Sequence, residues 1–245
     1  MPSSELSKYK AYVKRNLNRV TEILAHMSMG DFSRRIDLHR LREDEFYDVL
    51  AGLELTMDDL AQARTDLDRQ NTFNELRAGI WEAATAGFLS EGELVQRLLD
   101  IVGPGLRVRR ASFFAIRSKT REAVVERVWC EHGAPSNLGL SVPHEVYRLF
   151  LAADYALIEP EETGNLPPER REYIKEVFST YDIQTFLAVR YGSRETPHGF
   201  FTFSSKDKRR WNDLEVNILL EVVRIVTVRV ARLEAENRLR EVNTR

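Results

Sequence analysis

The sequence has one cysteine, little net charge and no long apolar run. Cys130 is the only cysteine in 245 residues, which excludes an intrachain disulfide and a zinc cluster built on cysteines. The 36 basic and 38 acidic side chains leave a net charge of -2, so the composition implies no attraction to nucleic acid or anionic membranes. The most apolar stretch, residues 216–230, contains Glu221, Arg224 and Arg229, too many charges for a membrane span. We therefore expect a cytoplasmic protein or the cytoplasmic part of a membrane receptor.

The sequence also lacks the short motifs that mark common enzyme classes. It contains no Gly-x-x-x-x-Gly-Lys phosphate loop, no His-Glu-x-x-His zinc motif and no Gly-x-Ser-x-Gly nucleophile elbow. Gly103-Pro104-Gly105 does not continue into a dinucleotide fingerprint. We therefore predict no catalytic site and no metal site. A role as the regulatory part of an enzyme, such as a histidine kinase or a cyclic-dinucleotide enzyme, stays open.

The first third of the chain has the pattern of two long helices. In the first, over residues 7–28, apolar side chains recur at spacings of 4, 3, 4 and 3, the pattern of a coiled-coil seam. Gly30 follows and predicts the end of this helix. The second helix, over residues 44–88, carries apolar side chains one heptad apart and would be about 65 Å long. A narrow apolar seam on so long a helix requires a partner helix.

The region from residue 8 to residue 66 resembles a HAMP domain. The resemblance rests on Gly30-Asp31-Phe32, on Ile36 and on Asp44-Glu45-Phe46 before the second heptad helix. It implies a parallel four-helix bundle built from two subunits, with Phe32 and Ile36 of the connector packed against it. HAMP domains usually follow a transmembrane helix, which leaves open whether Met1 is the natural start. The alternative is an ordinary antiparallel helical hairpin.

We therefore expect a homodimer held together by parallel coiled coils. Residues 67–89 would form a linker helix between the HAMP-like segment and the next domain. The predicted dimer interface comprises Val13, Leu17, Val20, Leu24, Met27, Phe32, Ile36, Phe46, Leu53, Met57, Leu60 and Leu67, with Ile218 and Ile225 from the last helix of the chain.

The rest of the chain alternates strands and helices. Ser90 and Glu93 form a capping-box pattern, and strands joined by short turns predict an antiparallel sheet flanked by helices, an α+β fold. The predicted elements are a helix from Ser90 that ends at Gly103-Pro104-Gly105, strands over 111–116 and 123–130, a helix over 145–153, a strand over 156–158, an acidic loop from Glu159, a helix over 168–181, strands over 185–191 and 199–204, and a helix over 211–240.

This order of elements resembles a GAF domain, over residues 90–210, followed by a signalling helix over 211–245. The resemblance rests on the strand that begins Arg110-Ala111-Ser112, on Trp129, on the strand pair that contains Phe186 and Phe201, and on Arg210-Trp211 before an apolar helix. It implies a small-molecule pocket between the sheet and the short middle helices. The residues expected to line that pocket are Phe113, Trp129, Cys130, His144, Tyr147, Phe186, Phe201 and Phe203, although these aromatic side chains can equally fill a core.

The sequence does not identify a cofactor and requires none. Cys130 as a bilin attachment point and His144 as a haem ligand are alternatives to a buried thiol and a helix-start histidine. The acidic loop that begins at Glu159 would bind a cation only if its carboxylates converge. The leading expectation is a noncatalytic sensory and dimerisation module of a bacterial signal-transduction (two-component) protein. Such a module would relay a conformational change through paired helices to a downstream output domain or protein. The alternative is a haem- or bilin-binding GAF photosensor, or a redox or gas sensor.

Overall fold

The computed structural model describes residues 3–40, 44–86, 90–158 and 167–243. The chain forms two compact units, Met1–Asn71 and Thr72–Arg245. The elements in chain order are α1 (Ser3–Ser28), a 3-10 turn (Leu38–Arg40), α2 (Glu45–Thr85), α3 (Glu91–Gly105), β1 (Arg110–Arg117), β2 (Glu122–Cys130), β3 (Ser141–Pro143), α4 (His144–Phe150), β4 (Tyr155–Ile158), α5 (Pro168–Thr180), β5 (Thr185–Gly192), β6 (Pro197–Ser205) and α6 (Asp213–Asn243). No helix within these ranges is long and apolar enough to cross a membrane.

In the N-terminal unit, α1 and α2 run in the same direction. The ring of Tyr12 packs edge-on against Phe46 with ring centres 5.9 Å apart, and Arg64 donates to the carbonyl of Gly30 at 2.9 Å. Tyr12 in the first half of α1 thus meets the start of α2, and Gly30 just after α1 meets a residue further along α2. The helices are therefore parallel, and the antiparallel hairpin considered above is wrong.

The described part of the connector is fixed at Gly30 and held against the helices at Ile36. Gly30 has a φ of +75° directly after α1, the left-handed conformation that favours glycine at a helix end. Ile36 is buried with Ile23, Leu50 and Met57, and its backbone N–H donates to Glu54 at 2.8 Å. An apolar anchor and a charge-assisted hydrogen bond thus hold the connector against α2.

The predicted interface residues of this unit divide into two groups. Ile36 and Met57 are buried, and Val13, Val20, Met27, Phe32, Phe46 and Leu53 are half-buried. Leu17, Leu24, Leu60 and Leu67 are exposed. One side of each helix is therefore covered within the chain, whereas a second apolar side is not.

The C-terminal unit is an α+β domain with a six-stranded sheet in the order β3-β2-β1-β6-β5-β4. Every neighbouring pair is antiparallel, as the sequence predicted. One buried cluster covers the first face of the sheet and includes Phe113, Phe201 and Phe203 together with α3, α6 and the end of α2. A second buried cluster, with Phe114 and Phe200, joins the other face to α4 and α5.

The predicted elements of this unit match the structure except at some boundaries and at β3. Helix α3 ends at Gly105, so Gly103-Pro104-Gly105 forms its last turn, where the sequence predicted its end. A proline near the C-terminus of a helix removes only one hydrogen bond, and Gly103 has room for no side chain because a Cβ atom would lie 2.2 Å from the Trp129 indole. The fold also contains β3, which was not predicted because a three-residue strand gives no alternation to detect.

Helix α6 begins later than predicted, and helix α4 ends earlier than predicted. Helix α6 begins at Asp213, because Asn212 and Glu215 cap it through reciprocal hydrogen bonds of 3.0 Å. Helix α4 ends at Phe150, where the N–H of Leu151 closes a tight turn onto Arg148. The predicted end of the second helix at Phe88 and the acidic loop that begins at Glu159 lie outside the described residues.

Candidate functional site

The eight residues predicted to line one pocket lie on different sides of the sheet. Phe113, Phe201 and Phe203 are buried on the face covered by α3 and α6, and Trp129 packs on the same cluster. Tyr147 and Phe186 belong to the cluster on the opposite face. A single cleft between the sheet and the middle helices, lined by all eight, is therefore wrong. The physical reason is that successive side chains of a strand point to opposite faces.

Aromatic side chains fill the space between the sheet and helices α4 and α5. Phe114 and Phe200 stack with ring centres 4.6 Å apart. Phe150 lies 5.8 Å from Phe200 and 5.2 Å from Phe186. These side chains form a packed core, so the interpretation of the aromatics as core holds for this part of the domain.

Cys130 is half-buried at the end of β2, beside a buried arginine. The Arg110 guanidinium donates to the carbonyls of Pro135 and Tyr181 and to the Ser204 hydroxyl. Burial lowers the pKa of Arg110 because the charged form loses solvation. These contacts tie a loop and the end of α5 to the sheet, which is a structural role that the sequence did not indicate.

Two of the predicted residues, His144 and Tyr147, line an open cavity of about 790 Å³ at one end of the sheet. We call it the rim cavity. Its walls come from the β1–β2 turn, from α4 and from the β5–β6 turn. Its charged residues are Arg121, Arg148, Arg194 and Glu195, and its apolar floor includes Ile116 and Leu151.

The rim cavity combines an aromatic wall with exposed guanidinium groups. His144 and Tyr147 pack edge-to-face with ring centres 5.2 Å apart. Burial raises the pKa of Tyr147, and the nearby Arg121 opposes that shift. Arg121 donates to Nδ1 of His144 at 3.2 Å, which requires an unprotonated Nδ1 because a guanidinium has no acceptor.

The three arginines of the rim cavity were not predicted from the sequence. Arg121 and Arg194 lie in turns that are 73 positions apart, and Arg148 is on α4. The signal available in the sequence was weak, since turn arginines are usually solvated. Only the antiparallel topology brings the two turns to the same end of the sheet.

A second cavity, of about 850 Å³, lies beside α6 and has internally paired charges. Arg190 forms an ion pair with Asp154 at 2.5 Å, and Tyr191 donates to Glu91 at 3.2 Å. Phe113, another of the predicted residues, lines this cavity. Arg190, Asp154 and Glu91 of its lining are therefore satisfied without a ligand.

Comparison with solved structures identifies the fold of the C-terminal unit. The phycoerythrobilin-bound GAF domain of a cyanobacterial phytochrome matches with a TM-score of 0.54 and 12% identity, over 69% of this chain and 97% of that chain. The C-terminal unit has a GAF-like fold. The GAF domain of PixJ from Thermosynechococcus elongatus, in its blue-light absorbing form, matches with a TM-score of 0.54 and 14% identity, over 65% of this chain and 98% of that one.

A further match covers only part of a longer protein, and two other comparisons found no match. A bacteriophytochrome from R. palustris matches with a TM-score of 0.57 and 12% identity, over 70% of this chain and 39% of that one. No protein-family model and no curated protein matches the sequence. At identities this low, the likeness establishes the fold and does not transfer a ligand.

Proposed function

We propose that this chain is a noncatalytic sensory and dimerisation module of a signal-transduction protein, in the cytoplasm or as the cytoplasmic part of a membrane receptor. Two copies would pair through parallel helices in a HAMP-like bundle and relay a conformational change to an output domain or protein. The observation that carries the proposal is an uncovered apolar side on both helices of the N-terminal unit.

This uncovered side, which we call the exposed stripe, consists of Leu17 and Leu24 on α1 and Val49, Leu60 and Leu67 on α2. Successive helix residues are about 100° apart around the helix axis. On each helix, the exposed stripe is therefore rotated by roughly 60–100° from the side that is buried within the chain. A helix that packs against two neighbours in a four-helix bundle needs apolar residues on two adjacent sides. The chain covers one of these sides itself, and a second copy would cover the other.

The GAF-like domain supports a relay because a carboxylate bridges two of its helices. Glu221 on α6 accepts hydrogen bonds from Arg77 at 2.9 Å and from Trp81 at 2.8 Å, both on the end of α2. A rotation of α2 would therefore change the charge-assisted contacts of α6. In the proposed mechanism, the two helices move together in each copy.

The pairing is tested by light scattering coupled to size-exclusion chromatography at micromolar concentration. We expect a mass of about twice 28.4 kDa for the native chain and a shift toward the monomer for Leu60→Glu, because the charge would have to be buried at the interface. Leu55→Glu is the matched control, since Leu55 is a more exposed leucine of α2 (64% against 40%) and lies off the stripe. A native monomer, or equal loss in both variants, refutes the pairing.

A cofactor-binding sensor is the second candidate, favoured by the bilin-bound proteins among the structural neighbours. It would hold a bilin or haem in the GAF-like domain and report light, redox state or a gas. Protein purified from its own host separates the candidates. A visible absorption band that disappears in Cys130→Ser or His144→Ala supports the cofactor sensor, and a colourless protein supports the first proposal.

A further inference from the structure

The rim cavity carries an excess of positive charge. Among the described residues that line it are three arginines and a single acid, Glu195, together with His144 and His198. Glu145 lies beside His144, with its carboxylate 3.8 Å from Nδ1. The arginines therefore outnumber the carboxylates that could neutralise them.

Glu145 interacts electrostatically with Arg121, but none of the three arginines forms a hydrogen bond or ion pair with a carboxylate among the described residues. Arg121 makes its side-chain contact with a neutral imidazole nitrogen. Arg148 and Arg194 have no side-chain hydrogen bond or ion pair to any part of the chain that the structure describes. Three arginines elsewhere in the domain do pair with carboxylates: Arg77 with Glu221 at 2.9 Å, Arg109 with Asp182 at 3.3 Å and Arg190 with Asp154 at 2.5 Å.

The cavity also has the shape and lining of a site for an organic molecule. Its volume of about 790 Å³ is within the roughly 300–1,000 Å³ of small-molecule sites. Tyr147 and His144 form an aromatic corner, and Ile116 and Leu151 add apolar floor. Three separate elements position the guanidinium groups around this corner, so a ligand with its charges at different points can meet them together.

We propose that the rim cavity binds a small organic anion with at least two negative charges. Its phosphate or carboxylate groups pair with Arg121, Arg148 and Arg194, and its apolar or planar part packs on Tyr147. Guanidinium groups suit this role because their paired N–H donors match the oxygens of a phosphate or a carboxylate. The proposal rests on the sensory function proposed above for its biological meaning, and it names the ligand class of that sensor. Binding itself requires only the GAF-like domain's residues.

The test is isothermal titration calorimetry of the full chain with three separate probes: inorganic pyrophosphate, citrate and ATP. We expect saturable binding of at least one probe, weakened by salt because the contacts are ionic. The double variant Arg148→Gln/Arg194→Gln should bind that probe at least about tenfold more weakly, since two charge-assisted pairs are lost. The control is Arg97→Gln/Arg210→Gln, which removes the same charge from exposed positions outside the cavity and should change the affinity less than about twofold.

The probes distinguish the chemical sources of the anion. Binding of pyrophosphate and ATP without citrate assigns a phosphate ligand, whereas binding of citrate alone assigns a carboxylate ligand. Absence of saturable binding for all three probes overturns the proposal, as does an equal loss in the control variant. Light scattering on the same samples keeps the two proposals apart, because a dimer without anion binding refutes the site alone, and a monomer with anion binding refutes the pairing alone.

Discussion

Replacing Arg110 with methionine should destabilise the GAF-like domain. Arg110 is only 1% exposed, and its guanidinium makes four hydrogen bonds, two to Pro135 and one each to Tyr181 and Ser204. It also lies over the Tyr181 ring, 5.2 Å from the centroid. Methionine keeps much of the apolar stem and removes every donor, so the part-buried hydrogen bonds to the carbonyls of Pro135 and Tyr181 are lost.

The expected magnitude follows from two opposing effects. Each hydrogen bond to a charged group contributes about 1.5–3 kcal/mol. The summed contribution of the hydrogen bonds lost here therefore exceeds about 5 kcal/mol. Removing the buried charge recovers several kcal/mol of solvation, consistent with the lowered pKa of Arg110. We therefore expect a net loss of about 3 kcal/mol for Arg110→Met, and a fall of about 6–12 °C in the melting temperature of a domain of this size.

Urea denaturation followed by near-ultraviolet circular dichroism measures the loss. Ser204→Ala is the control, because it removes only the 3.3 Å bond and should cost about 1 kcal/mol. Arg110→Lys should not rescue the loss, since a compact ammonium group does not reach all three acceptors in the geometry of the planar guanidinium. A free energy of unfolding for Arg110→Met within about 0.5 kcal/mol of the native value would refute this reasoning.

Three further predictions concern other parts of the chain. Asn16 is buried with an amide nitrogen that lacks a partner among the described residues, so Asn16→Leu should raise the free energy of unfolding by about 1–2 kcal/mol in urea titrations, and a decrease would contradict it. In thermal melts, Gly103→Ala should destabilise the protein by about 1–3 kcal/mol, because the added Cβ would clash with Trp129. Gly52→Ala, measured in the same way, should stabilise the protein by about 0.5–1 kcal/mol, because the space around Gly52 is open. Burial raises the pKa of Tyr173 from 10.0 to about 12, so the folded state retains the proton and stability should fall as the pH rises through this range; the fall should be smaller in Tyr173→Phe, and an identical pH dependence would contradict it.

Local chemistry made parts of this fold predictable. The capping box of Ser90 and Glu93 is present as predicted, with the N–H of Ser90 donating to the Glu93 carboxylate at 2.8 Å. The end of α1 follows from Gly30, which adopts a positive φ. These features depend on residues close in sequence, where backbone conformation and short hydrogen bonds decide the outcome.

The faces of the strands were harder to assign from the sequence. The pairing of β1 with β2 shifts register between Phe113 and Phe114, an irregularity that no residue pattern announced. Phe113 and Phe114 belong to opposite cores, as the alternation of side chains along a strand requires. Alternation alone gives relative sides along a strand and does not say which helices will cover each side.

The rim cavity and Arg110 depend on interactions between distant residues. Arg110 meets Tyr181 and Ser204 because an α5 end and a neighbouring strand converge on it. A charged residue next to a turn is normally expected at the surface, so burial of this arginine could not be predicted from its local sequence. The same holds for the convergence of two turns and α4 at the rim cavity.

Disulfide trapping tests the parallel pairing of two copies most directly. The hydrogen bond between Gly30 and Arg64 places the end of α1 level with Arg64 of α2. Beyond Arg64, α1 therefore no longer lies beside α2 in the N-terminal unit. Leu67 is 58% exposed there and should face Leu67 of a second copy across a two-fold axis. In a Cys130→Ser background, Leu67→Cys should oxidise to a species of about twice 28.4 kDa. Thr65→Cys, about 200° around the helix, should stay monomeric in denaturing gels. Equal trapping at both positions, or none at Leu67, would contradict the paired parallel helices.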